Sequence, residues 1–221
     1  MSNFWENKTV FITGADGFIG SWGAKELVEK NAKVVTLVRD LKPKAGFDLH
    51  NIKDKIISVR GDLVDFSVLQ RIMNEFDIDS VFHIAAQAIV GIANKNPLST
   101  FESNIKGTWN ILEACRLHDK TESIIVASSD KAYGRHEELP YREEKPLLGL
   151  YPYDASKACA DILARTYATA YGLPVAVTRN ANTYGGGDLN FSRIIPDAIR
   201  ALIQNQEFVV RSDGTPERDY M

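Results

Sequence analysis

Ser129, Tyr153 and Lys157 have the types and spacing to take a proton from a hydroxyl group. Tyr153-Asp154-Ala155-Ser156-Lys157 is Tyr-x-x-x-Lys, and a four-residue step on a helix sets both side chains on one face. A phenol with a pKa near ~10 is a poor base at neutral pH. An ammonium one turn away stabilises the phenolate, and lowering that pKa by ~3 units takes about 4 kcal/mol. Ser129 follows an apolar, strand-like run that begins at Ser123. Parallel sheets hold their ligands at the carboxyl end of such strands, so a hydroxyl there can hydrogen-bond the alcohol that Tyr153 deprotonates. By itself Tyr-x-x-x-Lys arises by chance in many helices. Its weight comes from the serine before it and from a glycine motif near the N-terminus.

Gly14, Gly17 and Gly20 recur every three residues, directly after Thr9-Val10-Phe11-Ile12-Thr13 and at the start of a helical pattern. Glycine allows a tight turn and a close backbone approach to a ligand. Free amides at a helix start, aided by the helix dipole, suit a pyrophosphate. Strand before and helix after is the context that makes such glycines a dinucleotide site, here as Gly-x-x-Gly-x-x-Gly. A bound oxidised nicotinamide would add its positive charge to that of Lys157 beside Tyr153, and Lys157 would also hold the cofactor ribose. The second strand ends Leu37-Val38-Arg39-Asp40. NAD sites tend to place a carboxylate there for the ribose 2′-OH. Arg39 instead suits the 2′-phosphate of NADP, while Asp40 in reach of the ribose leaves NAD open.

The elements that must position these groups alternate along the chain. Strand patterns run over residues 9–13, 33–38, 56–60, 80–84, 123–128 and 175–179. Helical patterns run over 18–30, 65–76, 104–117 and 153–171. Near-continuous apolar strands separated by helices predict an α/β fold, a Rossmann-like doubly wound parallel sheet with helices on both faces. Residues 41–54 and 134–151 are the least regular, and the second is long for a connection, as binding loops often are.

Composition excludes several classes. A net charge of -3 with scattered Lys and Arg gives no footprint for nucleic acid. No apolar run approaches the ~20 residues that span a bilayer, so no membrane partner is expected. Met1 to Glu6 lacks a signal-peptide pattern, and two cysteines, Cys115 and Cys159, fit a reducing, cytoplasmic setting. His50, His83, His118 and His136 share no ligand spacing, so no metal is expected.

Taken together, Thr13 to Trp22, Phe82-His83-Ile84-Ala85-Ala86-Gln87, Asn104-Ile105-Lys106-Gly107-Thr108, Tyr153 to Lys157, Gly185-Gly186-Gly187-Asp188 and Arg218-Asp219-Tyr220 carry a resemblance. The chain resembles the extended short-chain dehydrogenase/reductase family and, within it, the nucleotide-sugar 4,6-dehydratases of the CDP-glucose branch. The resemblance implies that residues 1–221 form an NAD(P)-binding Rossmann-like domain. It also implies that a substrate-binding part begins near 180–221, with most of the C-terminal substrate domain lying beyond this sequence. It implies cofactor contacts from Gly14, Asp16, Gly17, Phe18, Ile19 and Gly20, from Arg39, and from Asp62 and Leu63 beside adenine. Ala85, Ala86 and Gln87 would line the pyrophosphate and ribose, with Asn104 supporting Tyr153 and Lys157. Gln87, Ser129, Asn182 and Arg218 would meet the substrate.

The implied reaction starts with Tyr153 taking the 4-OH proton as the C4 hydride leaves. A base then removes the C5 proton, an acid protonates the departing 6-OH, and the hydride returns to C6. Asp130 matches the acid and Lys131 the base. An ordinary lysine, with a pKa near ~10.4, is a poor base, so the reading expects burial and neighbouring positive charge to push Lys131 towards neutral and Asp130 to be protonated. A homodimer built on the helices 104–116 and 153–171 is implied as well. Two other readings stay open on the residues alone. An epimerase of the same family needs the tyrosine, lysine and glycines but not Asp130-Lys131, and a non-catalytic dinucleotide-binding module needs only the glycines.

Overall fold

A computed structural model describes residues 4–40, 46–210, 212–215 and 217–221. The chain divides into two compact units, Met1–Arg179 and Asn180–Met221. The first unit holds one six-stranded sheet: β1 (Thr9–Thr13), β2 (Lys33–Val38), β3 (Ile56–Arg60), β4 (Ser80–His83), β5 (Ser123–Ala127) and β6 (Val175–Thr178). All neighbours run parallel, in the order β3-β2-β1-β4-β5-β6. The predicted Rossmann-like doubly wound sheet is therefore present.

Side-chain alternation sorts the sheet between two helix layers. Val10, Ile12, Val34 and Val38 face α1 (Phe18–Glu29) and α2 (Gly46–Leu49), packing with Ala24, Leu27 and Phe47. Phe11, Val35, Leu37 and Val81 face the opposite way. They pack with Leu69, Ile72 and Met73 of α3 (Phe66–Phe76), Ile111 and Leu112 of α6 (Gly107–His118) and Ala164 of α7 (Pro152–Tyr171). Caps fix the helix ends. Asp65 accepts from the Ser67 amide at the start of α3. Pro152 opens α7 and Gly172, at φ 70°, closes it.

Differences from the sequence pattern have local causes. Strand β4 ends one residue early because the Ile84 and Ala85 amides leave the ladder and donate to the Thr13 hydroxyl, both at 3.1 Å. The single helix expected from residue 104 is instead α5 (Pro97–Phe101), a π-turn (Glu102–Lys106) and α6, with α4 (Val90–Lys95) before them. The irregular stretch 41–54 contains α2 and a 3-10 turn, Lys53–Lys55, while residues 41–45 lie outside the described residues. A further 3-10 turn, Asp130–Tyr133, follows β5.

The second unit contains α8 (Ile194–Ile203), which the sequence pattern had not marked, and a bridge between Asn182 and Tyr220. Its Gly185–Asp188 segment, Phe191, Ile199 and Ile203 line an apolar cavity of 530 Å³. Among the described residues, no helix is long and apolar enough to cross a membrane, and no group of three or more His, Cys, Asp or Glu could hold a metal ion.

Candidate functional site

The sheet order reverses between β1 and β4, and the crevice outside their carboxyl ends is where such sheets take ligands. On the β1 side, Gly14 adopts φ +76°, and a Cβ there would lie 2.9 Å from the Ala85 backbone. A Cβ on Gly20 would fall 2.2 Å from the Gly14 carbonyl oxygen. These two glycines let the chain pack against itself. Gly17 is different: a Cβ would meet only the Gly14 oxygen, at 3.2 Å. It stands at the start of α1, which has no side-chain cap and no acidic residue in its first turn. With Phe18, Ile19 and Gly20 it forms an uncapped, amide-rich helix start of the kind that takes phosphate.

Next to it lies a cleft of 150 Å³ lined by Thr13, Asp16, Arg39, Asp62, Leu63 and Gln87 among others. Leu37, Asp40, Gly61 and Ala86 also border it. Arg39 Nε donates to Asp40 Oδ2 at 2.7 Å, both side chains being more than half exposed. Asp40 chiefly, then Asp62 and Asp16, hold the Arg39 guanidinium above its usual pKa, against a smaller opposing effect of burial. The residues present thus fit a dinucleotide: an open helix start for phosphates and a polar end at β2 and β3 for a ribose.

A buried hydrogen-bond chain joins this region to α7. The Thr13 hydroxyl already accepts two amides, so its proton goes to His83 Nδ1, 2.8 Å away. The imidazole proton therefore sits on Nε2, which donates to Thr108 Oγ1 at 3.0 Å, and that hydroxyl donates to the Asn104 carbonyl at 2.6 Å. Burial, with Lys157 nearby, pushes the His83 pKa down to about 3. The Asn104 side chain grips Gln87 from both sides, accepting from its amide at 2.7 Å and donating to its carbonyl at 3.2 Å. It also donates to Ser156 Oγ, which donates to the Tyr153 carbonyl at 2.7 Å.

Lys157 is buried one turn after Tyr153, and its Nζ donates to the Ala127 carbonyl at 2.7 Å. Burial lowers its pKa to about 8. Asp154, beside Tyr153, is raised by burial, with Asp130 reinforcing and Lys131 opposing the shift. The turn Asp130–Tyr133 packs against α7. Ser129 Oγ donates to Asp130 Oδ1 at 3.0 Å, and Lys131 Nζ donates to Asp130 Oδ2 at 2.6 Å. Asp130 and Lys131 thus form an ion pair, and the Lys131 side chain keeps 35% of its surface exposed. The Lys131 amine is therefore less buried than the sequence led one to expect.

Asn182 and Arg218 belong to the second unit. Asn182 holds the 219–221 segment through backbone bonds with Asp219 and Met221, and Arg218 is exposed and donates to the Glu217 carbonyl. The sequence reading gave no site role to His83, Thr108, Ser156 or Asp154. Polar residues interrupting apolar strand ends, Thr13 and His83, were the available signal for the first of these.

A family model described as GDP-mannose 4,6 dehydratase matches residues 11–221. The chain belongs to that family. It is 34% identical over 221 residues to the CDP-glucose 4,6-dehydratase of Salmonella typhimurium, covering 95% of this chain and 62% of that protein. The chain thus spans less than two thirds of the length of this family member. Among solved structures it is similar to a UDP-glucose 4-epimerase from Thermotoga maritima with UDP-glucose (TM-score 0.88, 26% identity, 96% of this chain and 68% of that one). It is also similar to a double mutant of the dTDP-glucose 4,6-dehydratase from Streptomyces venezuelae with NAD bound (TM-score 0.84, 26% identity, 96% and 67%). The chain is thus similar to proteins named for both dehydratase and epimerase chemistry.

Proposed function

We propose that the protein is a nucleotide-sugar 4,6-dehydratase, converting an NDP-hexose to an NDP-4-keto-6-deoxyhexose with loss of water. The observation that carries this reading is the Asp130–Lys131 pair on a turn packed against the helix of Tyr153 and Lys157. Epimerisation at C4 needs a base for one hydroxyl. Dehydration needs in addition a base for C5–H and an acid for the departing 6-OH, and two adjacent groups sharing one proton meet that need.

Tyr153 takes the 4-OH proton, with the Lys157 ammonium lowering the cost of the phenolate. A bound nicotinamide dinucleotide would supply the redox chemistry, taking the C4 hydride and giving it to C6. The 4-keto group acidifies C5–H. Moving the shared proton from Lys131 Nζ to Asp130 Oδ2 leaves an amine to take the C5 proton and a carboxylic acid to protonate the leaving hydroxyl. C5 is reprotonated at the end, and the proton held on Tyr153 balances the one lost in water. Ser129 steadies Asp130, and it can turn its hydroxyl to the sugar.

The cofactor in this reading is NAD. Arg39 first pointed to NADP, but its charge is spent on Asp40 and shared with Asp62 and Asp16. A 2′-phosphate would enter among three carboxylates and one guanidinium. NADP binding more tightly than NAD in calorimetry would overturn the choice. The reading extends to a homodimer packed through the helices bearing the exposed Trp109, Ile162 and Tyr171, to a reducing cytoplasm, and to residues 180–221 as the start of the nucleotide-sugar-binding part, with Asn182 and Arg218 towards the diphosphate.

The test is to incubate protein expressed from its whole reading frame with NAD and, in turn, CDP-, dTDP-, GDP- and UDP-hexoses. A 4-keto-6-deoxy product with one of them is the expected result. A product inverted at C4 with its 6-OH intact would establish the epimerase instead.

A further inference from the structure

Asp161, on α7, is fully buried and needs compensation for its charge. Arg165 Nε donates to its Oδ1 at 2.8 Å from the exposed side. The main partner is Arg179, just after β6, whose Nε and Nη2 reach Oδ2 and Oδ1 at 2.7 and 3.1 Å. A two-point fork of this kind fixes the plane of the guanidinium. Nη1, which the fork does not use, points elsewhere with both of its N–H groups. It donates at 2.8 Å to the Tyr133 hydroxyl and at 2.8 Å to the Glu143 carbonyl.

Both targets bear on the site. Tyr133 is buried and closes the 3-10 turn that carries Asp130 and Lys131. Glu143 lies in the long connection 134–151 that runs from this turn to the start of α7. That connection is tied to the same turn at its far end. The Leu148 amide donates to the Tyr133 carbonyl and the Gly149 amide to the Ala132 carbonyl, each at 3.1 Å. In its middle, Tyr141 stacks on Tyr133 with ring centres 4.9 Å apart. Asp161 sits eight residues after Tyr153 on one continuous helix, so the fork is referenced to the helix that carries the phenol.

We infer that Arg179 is a positioning residue: anchored on Asp161, it holds Tyr133 and Glu143, sets the Asp130–Lys131 turn relative to Tyr153 and keeps the 134–151 loop folded over it. The functional half of this rests on the dehydratase reading, in which Tyr153 and the Asp130–Lys131 pair must reach neighbouring atoms of one hexose. Misplacement by ~1 Å in such a constellation can cost about 100-fold in rate.

Two variants and two readouts test it. Arg179→Gln removes the charge; Arg179→Lys keeps a charge for Asp161 but has no fork to reach the other partners. Hydrogen exchange in the free protein should quicken about tenfold or more at the amides of Ala132, Gly134, Leu148 and Gly149 in both variants, with sheet amides unchanged in the lysine variant, consistent with local opening. Unchanged exchange at those four amides, or an increase shared equally by the sheet in Arg179→Lys, overturns the latch. In the turnover assay Arg179→Lys should lower kcat about 100-fold with KM and NAD affinity within about twofold. A wild-type kcat in that variant overturns the positioning role. If the unmodified protein forms no 4-keto-6-deoxy sugar, the dehydratase reading fails while hydrogen exchange still decides the latch.

Discussion

In the proposed site, the turn after β1 offers a ligand backbone amides, whereas the 130–133 turn and α7 offer side chains. The difference governs what each region tolerates. A Cβ on Gly20 or Gly14 would meet main-chain atoms of Gly14 or Ala85, which cannot move aside as a flexible side chain can. Around Lys157, Asp130 and Lys131 glycines are also pinned by main-chain contacts, Gly134 against Leu148 and Gly149 against Asp154, but the side-chain chemistry there is set by burial and by which charges touch. In the first region shape decides what can approach; in the second, electrostatics decides what can react. The Thr13–His83–Thr108–Asn104 chain is the joint between them.

The joint gives the largest expected effect. His83 falls from an ordinary 6.5 to about 3 in the folded protein, so below pH 6.5 the unfolded chain binds the extra proton. Stability from this group is complete above pH 6.5 and is lost as pH falls towards 3, at up to ~1.4 kcal/mol per unit and about 5 kcal/mol in all. Urea midpoints between pH 7 and 4.5 should drop accordingly, and His83→Gln should flatten the slope. An equal slope in that variant would remove His83 from the account.

The shape-specified region comes next. Gly20→Ala should destabilise by about 3 kcal/mol, at the upper end of overpacking effects, and weaken NAD binding about 100-fold. Thermal melts and calorimetry check both, and wild-type binding would mean the loop does not depend on that close approach.

The electrostatic region should respond more gently and to pH. With Lys157 near 8, its ammonium is lost as pH rises through that value, so NAD affinity should fall about fivefold between pH 8 and 9 if the charge is what binds. Stability should move the other way. Between pH 8 and the ordinary 10.5 the unfolded lysine holds the proton that the folded one has shed, and folding gains. Lys157→Met should abolish the pH dependence of both quantities without lowering the melting temperature at pH 7. Affinity that ignores pH in the unmodified protein would contradict this.

Sheet, helices and the parallel architecture were legible because their signals are local: apolar runs of five or six residues, period-3.6 helices, glycines at a strand end. Strand limits slipped where a side chain competes with the ladder, as Thr13 does for the Ile84 and Ala85 amides. The breaks within 90–106 were hidden because α4, α5 and the π-turn are too short for a periodic pattern to mark. For the site, residue types at Ser129, Asp130, Lys131, Tyr153 and Lys157 were readable, but their protonation partners were not. That Asp130 accepts from both Ser129 and Lys131 depends on rotamers, and the reach of Arg179 to Asp161, Tyr133 and Glu143 joins positions up to 46 residues apart.

The π-turn at Glu102–Lys106 has a consequence for how this chain can vary. A π-turn amounts to one extra residue threaded into an α-helix, and each residue turns a helix by about 100°. Asn104 lies inside that surplus, where it clasps Gln87 and reaches Ser156. Removing a single residue there would tidy the helix into regular α geometry while swinging the asparagine round the axis, away from both partners. Length at this point is therefore as binding a constraint as residue identity, and a deletion that looks harmless to helix propensity would uncouple the glycine end from the tyrosine end.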